Sequence, residues 1–434
     1  MLRNAAGDPP WTSPSRHRVA SLGRSLSGCR LTGREALKKQ IYLVGTADTK
    51  GGELDYLAQR LRDLGAKPLI VDVGTRAATI PVDISARQVA EYGSAGAEAI
   101  LGVDDRGVAV AGMTQAFERF VETRLDIAGI LGIGGGGGTA IVTAGMRKLP
   151  MGLPKIMIST LASGNVAPYV GVSDIIMMSS VTDMAGLNRI SRVIFQNAAQ
   201  AMAAMSANPP AVSGGKPALG LTMFGVTTAA VTQITEWLAN DYETLVFHAT
   251  GTGGRVMEAL VDSGLLAGVL DITTTEICDL LFGGVLPAGP DRLDAIARTK
   301  LPYLGSVGAL DMVNFWAPET VPPHYAGRLL YKHNPNVTLM RTTAQECRAI
   351  GEWLSEKLNA CEGPVRFLIP QRGVSALDIE GGVFFDPDAD KVLFDTIADS
   401  VRWGENRKLE RLPVHINDPE FAAAVVAAFR EIAR

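Results

Sequence analysis

From residue 40 onward, short continuous apolar runs alternate with stretches in which apolar residues recur every three to four positions. Residues 41–44 form a continuous apolar run and predict a buried strand, followed by a turn over 45–52. Leu54, Leu57, Leu61 and Leu64 then fall on one face of a helix over 53–64, which Gly65 stops. The same grammar returns as a strand at 68–73, a strand at 127–133, a glycine turn at 134–138, a helix at 139–149 and a strand at 155–158. A long helix is predicted over 187–205. Strands and helices alternating at these lengths indicate βαβ units and parallel sheets, the α/β class.

Pro209, Pro210, Gly214 and Gly215 interrupt the pattern between 207 and 216 and mark a domain boundary. Beyond it the grammar restarts with a strand at 218–223, a helix at 227–238, a strand at 244–249, a turn at 251–254 and a helix at 255–263. A last helix is predicted over 421–432. Two domains are therefore expected, 39–206 and 207–434, preceded by an extension over 1–38. Ligands of open parallel sheets lie outside the carboxyl ends of strands, so the working cleft is expected between the two halves.

The extension differs in composition from the rest. Arg3, Arg16, Arg18, Arg24, Arg30, Arg34 and Lys38 face only Asp8 and Glu35, among many Ser, Pro and Gly residues. It reads as a disordered, dispensable basic segment, with an organelle transit peptide as the other reading. Over the whole chain the formal net charge is −4, which argues against non-specific binding to nucleic acid or an anionic membrane. No apolar run approaches the length of a membrane span. Cys29, Cys278, Cys347 and Cys361 are scattered, as in a reducing compartment, and the cytoplasm is the expected location.

Two turns carry the first candidate chemistry. Gly45, Thr46, Asp48, Thr49 and Lys50 stand between a strand and a helix start, where free N–H groups and the helix dipole favour anions. Lys50 supplies a charge for phosphate and Asp48 a partner for Mg2+ or a hydroxyl; the other reading is a capped helix with a solvated lysine. The second turn is Gly134, Gly135, Gly136, Gly137 and Gly138 with Thr139. It satisfies GxGxxG, but no acid follows about twenty residues on, which disfavours a nicotinamide cofactor. Five consecutive glycines lose much backbone entropy on folding, a cost that close approach to a ligand explains. Asp72 ends the strand at 68–73, the second of the first βαβ unit, where it can meet ribose hydroxyls or form a turn. Ser159, Thr160, Ser163 and Gly164 can add phosphate or base contacts. Near the start of the long helix, Arg189 can balance phosphate charge or form an ion pair with Asp183.

In the second half, His248, Thr250, Gly251, Gly253 and Gly254 close a strand and open a helix. Thr274 and Glu276 follow the next strand, and His333 and Arg341 add a further polar cluster. These are candidates for a small acidic ligand. No nucleophile or general base is evident.

The segments GTADTKGGEL, GIGGGGGTA, SSVTDMAGLNRIS, FHATGTGGRVMEAL, DITTTE and HNPNVTLMRTT together resemble a known family. It is typified by the ATP-binding inhibitory domain of the tomato mosaic virus resistance protein. The resemblance runs from about residue 41 to beyond 386 and implies two Rossmann-like domains facing a cleft. It further implies ATP on Gly45, Thr46, Asp48, Thr49 and Lys50 and on the Gly134–Thr139 turn, beside which the Asp48 reading places Mg2+, and self-association, expected as a homodimer or larger homo-oligomer. In the plant protein the domain binds a viral replication protein, and a barrel-like domain follows it. Two functions are carried forward. One is a nucleotide-binding protein acting through a partner. The other is an ATP-dependent enzyme acting on a small acidic metabolite at the cleft.

Overall fold

The computed structural model describes residues 39–208 and 215–433. The basic extension, Cys29 and most of the Pro/Gly break lie outside the described residues. The first half runs β1 (Gln40–Gly45), α1 (Ala47–Asp63), β2 (Pro68–Asp72), α2 (Ala86–Ala90), α3 (Ala97–Leu101) and α4 (Arg106–Glu122). It continues with β3 (Ile127–Gly134), α5 (Gly136–Arg147), β4 (Lys155–Ser159), α6 (Ala167–Val170), β5 (Ile176–Ser179) and α7 (Arg189–Ala207). Its five strands are all parallel, in the order β2-β1-β3-β4-β5. The strands are buried on both faces. In β1, Ile41 and Leu43 join the core under α1 and α7, while Tyr42 and Val44 join the core under α4 and α5. Alternation of side chains along a strand sends neighbours to opposite faces.

The second half runs β6 (Ala218–Met223), α8 (Thr228–Leu238), β7 (Glu243–His248), α9 (Thr252–Asp262), β8 (Gly268–Thr273), α10 (Glu276–Phe282), α11 (Asp294–Thr299) and β9 (Tyr303–Gly308). Then come β10 (Met312–Phe315), β11 (Leu330–Asn334), β12 (Val337–Arg341), α12 (Ala344–Ala360), β13 (Val365–Pro370), α13 (Pro387–Ser400), β14 (Arg407–Leu412) and α14 (Pro419–Ile432). A six-stranded parallel sheet is ordered β14-β13-β9-β8-β6-β7, and β10-β12-β11 form a separate antiparallel sheet. The fold is thus α/β with two parallel, doubly wound sheets, as two Rossmann-like domains require.

Three helices begin earlier than the apolar spacing indicates. α1 starts at Ala47 and kinks at Lys50 (φ −127°, ψ 21°), α5 starts inside the glycine run, and α9 starts at Thr252. Glycine is a poor helix former and carries no side chain to mark a face, so the first turns are invisible to periodicity. The halves touch where Met151 N–H donates to Ser263 Oγ (3.1 Å). A cavity of about 570 Å3 between them is lined by 147–151, Val172 and Ser173 on one side and Ala259, Asp262, Ser263, Asp291 and Arg298 on the other. Most of these residues close helices or precede strands, the end opposite the glycine turns.

A buried charge cluster ties the antiparallel sheet to α13. Arg341 donates to Asp390 (2.6 Å) and to the Phe384 carbonyl (2.7 Å), with Asp378 4.0 Å away. Burial pushes Asp390 and Asp311 above the ordinary carboxylate range; Arg341 opposes that shift and the Asp378 carboxylate adds to it. Burial likewise raises Asp279 to about 7, against N–H donors from Asn314 and Leu286. The native state therefore binds protons more tightly than the unfolded chain. Their stabilisation is complete below the unfolded carboxylate pKa and is lost as pH rises through the native values. The melting temperature is expected to fall between about pH 5 and pH 8. Asp390→Asn can still accept from Arg341 and can donate to Asp378 Oδ1, which has no hydrogen-bond partner among the described residues. That variant should show a shallower fall, by up to about 1 kcal/mol per pH unit, in thermal melts across the range; parallel curves would contradict this.

Candidate functional site

In the first sheet the chain winds outward from β1 to β2, then crosses back to add β3 on the other side of β1. The connections after β1 and β3 leave on opposite faces, and a crevice opens between them at the carboxyl ends. The two glycine-bearing turns of the sequence are the ones that flank this crevice. A cavity of about 460 Å3 lies there, lined by Thr46, Asp48, Thr49 and Lys50, by Gly135, Gly136, Gly137 and Gly138, and by Thr75, Arg76, Asp104 and Arg106, with Val103, Val110 and Ile141 as apolar lining. All of its lining comes from the first half, so the glycine turns open onto their own sheet rather than onto the space between the halves.

The wall from α1 is set by carboxylates that hold backbone. Asp72, buried, accepts from Ala47 N–H (2.9 Å) and Gly74 N–H (2.8 Å). Burial raises its pKa, and these two N–H groups oppose the shift. Asp72 therefore shapes the turns behind the cavity and does not line the cavity itself. Asp48 Oδ2 accepts from Thr75 N–H (3.3 Å) and Arg76 N–H (3.2 Å), while its Oδ1 is buried with no hydrogen-bond partner among the described residues. Thr46, the N-cap of α1, makes no side-chain cap; its hydroxyl meets that of Thr49 at 2.8 Å. The Lys50 ammonium donates to the Met184 carbonyl, and Glu53 accepts from Gly186 N–H (2.8 Å). These two contacts pin the segment before α7. Asp183 accepts from Met184 N–H (2.8 Å), and Arg189 is exposed at the start of α7.

The floor is the first turn of α5. Gly135 is its N-cap and offers no side chain, and the N–H groups of Gly136, Gly137 and Gly138 find no acceptor among the described residues. Gly134 must be glycine, because a Cβ there would lie 2.7 Å from Gly138 C and Thr139 N. Gly135, Gly136, Gly137 and Gly138 are different. None has positive φ, and a Cβ on each would meet its nearest protein atom only at 3.6–3.9 Å. Neither backbone conformation nor packing requires glycine at these four positions. Thr139 and Ser159 share a buried hydroxyl hydrogen bond (2.7 Å) that ties the turn to β4. Thr160 borders the turn, its Oγ1 3.9 Å from a Cβ on Gly135, whereas Ser163 and Gly164 are exposed further along.

The second-half candidates are not brought together. The turn after His248 follows β7, an edge strand, whereas the winding reverses between β6 and β8. At that reversal the Val226 carbonyl accepts from Ala376 N–H (3.0 Å) and Asn417 Nδ2 (3.0 Å), so protein segments fill it. The turn after His248 already holds an anion: Glu276 Oε2 accepts from Gly251 N–H (2.6 Å), and Oε1 accepts from Arg292 Nε (2.6 Å). Arg292 also binds Glu258 (2.8 Å) and Asp271 (2.8 Å), all buried. Gly251 has φ 73°, a Cβ on Gly253 would overlap the His248 carbonyl, and one on Gly254 would overlap Glu276. Thr250 Oγ1 donates to the His248 carbonyl (3.4 Å), and Thr274 Oγ1 to the Ser306 carbonyl (3.4 Å). His248 and His333 are exposed, while Arg341 is buried in its own ion pairs. Arg76, Asp104 and Arg106 are cavity residues that the sequence pattern did not single out.

The two turns should respond oppositely to a methyl group. Gly254→Ala drives Cβ into the Glu276–Arg292 pair and should cost roughly 3 kcal/mol in denaturant unfolding. A loss under about 0.5 kcal/mol would contradict a protein-filled turn.

Comparison with known proteins agrees with this two-part construction. Residues 39–210 match the N-terminal domain, and residues 216–433 the C-terminal domain, of the uncharacterised protein family UPF0261. A UPF0261 protein of Rhizobium meliloti is 67% identical over 395 residues, 91% of this chain and 99% of that protein. One from Clostridium tetani is 45% identical over 396 residues, 90% of this chain and 98% of that one. The ToMV resistance protein Tm-1 of Solanum lycopersicum is 41% identical over 419 residues, 91% of this chain but only 56% of the tomato protein. With both domain models matched, together over most of its length, the chain belongs to the UPF0261 family.

Proposed function

We propose that this chain is an ATP-binding protein whose nucleotide phosphates rest on the first turn of α5, at the winding reversal of the first sheet. One observation carries the reading. Nothing among the described residues requires glycine at Gly135, Gly136, Gly137 and Gly138, and the N–H groups of the last three point from an uncapped helix start. A helix N-terminus with free donors favours phosphate, and glycine lets the ligand approach the backbone closely. Thr46 and Thr49 offer hydroxyls from the facing turn. The cavity-lining carboxylate of Asp48 and these hydroxyls are hard oxygen donors of the kind that suits Mg2+. When bound, Mg2+ would neutralise phosphate charge; Asp48 also holds the backbone of Thr75 and Arg76 against the site.

The tomato relatives are named as a ToMV resistance protein and a ToMV susceptible protein. We read this chain accordingly as one that acts through a protein partner, with nucleotide binding favouring the competent state, and as a homo-oligomer.

Glycine supplies the sharpest test. In the unliganded protein, Gly136→Ala with Gly137→Ala removes backbone freedom from the unfolded chain and meets no clash. Stability should rise by up to about 1 kcal/mol per site. The same two methyl groups should weaken Mg·ATP binding about tenfold or more by calorimetry. Unchanged affinity in the double variant would sink the placement.

A further inference from the structure

We propose that Arg106 and Arg76 form a two-sided guanidinium clamp that makes this cavity selective for ligands with consecutive phosphates, nucleoside di- and triphosphates, over nucleoside monophosphates. The inference rests on the nucleotide reading of the same cavity. Arg106 is the first residue of α4, and its Nη2 lies 4.0 Å from where a Cβ on Gly137 would stand. The guanidinium is therefore placed over the helix start that forms the floor. A cation at a helix N-terminus has the wrong sign for the dipole, and an anion bound there compensates it. Its neighbour Asp105 caps α4, accepting from Gly107 N–H (2.7 Å) and Val108 N–H (3.1 Å), and is not ion-paired with Arg106 among the described residues.

Arg76 comes from a different wall. Asp48 accepts from its N–H and from that of Thr75, which sets the segment after β2 against the cavity. Neither guanidinium is ion-paired with a carboxylate of the described residues. The Lys50 ammonium, by contrast, is already engaged by the Met184 carbonyl.

Planar guanidinium forks bind phosphate oxygens two at a time, and the two arginines line this cavity from two walls over one floor. A phosphate on the floor falls to Arg106, and further phosphates of the same ligand fall to Arg76 on the other wall. Asp48 and Asp104 face the same space, so a polyphosphate carrying Mg2+ balances the lining charges better than a lone phosphate does.

The test uses the full chain with Mg2+ and four probes in calorimetry: ATP, ADP, AMP and inorganic triphosphate. Wild type should bind ATP and ADP on the order of tenfold or more tighter than AMP, and should bind triphosphate as well. Arg106→Ala and Arg76→Ala should each shrink the preference for ATP over AMP about tenfold, with unliganded melting curves unchanged. Arg106→Lys should recover only part of the preference, since it restores a point charge without the fork. Wild-type preference retained in both alanine variants overturns the clamp alone. A wild-type protein that binds none of the four probes overturns the nucleotide reading and the clamp with it.

Discussion

The candidate site depends on one constraint, the reversal of winding between β1 and β3. Two parallel strands whose crossovers leave on opposite faces cannot cover their shared carboxyl edge with either crossover. At that uncovered edge the chain places Gly45 and Gly134, and immediately beyond them the starts of α1 and α5. Everything else at the site follows from holding those two turns open. Asp72 takes the Ala47 and Gly74 N–H groups, and the Thr139–Ser159 hydroxyl pair fixes the polyglycine turn to β4. The α5 start is left with donors that find no acceptor among the described residues.

The second half repeats the winding and resolves the same constraint differently. Its reversal, between β6 and β8, is filled by the segments carrying Ala376 and Asn417. Its glycine turn lies one strand away and carries its own anion, Glu276, backed by Arg292 with Glu258 and Asp271. Breaking such a buried charge group is costly because each partner left behind is desolvated and unpaired. Similar turn sequences therefore serve opposite ends: in the first half glycine leaves space, and in the second half glycine removes a clash.

Much of the architecture was legible from the sequence. Apolar runs such as 41–44, 127–133 and 156–158 are strands buried on both faces, and continuous apolarity is the direct trace of that burial. Helix starts inside glycine turns were not legible, because glycine neither favours helix nor marks a face. The turn over 248–255 reads in sequence as an anion site. Only the fold shows that Glu276, more than twenty residues later, already supplies the anion. Arg76 and Arg106 were equally hidden. They reach the cavity from segments linked to it by tertiary packing, with no local motif around either one.

The most direct measurement is hydrogen–deuterium exchange of the full chain with and without Mg·ATP. Protection should appear in peptides covering 45–50, 74–76, 101–110 and 134–140, the four segments around the cavity, and should be absent from 248–255. Protection centred on 248–255, or no change at 134–140 under saturating nucleotide, would contradict the assignment of the open reversal as the binding site.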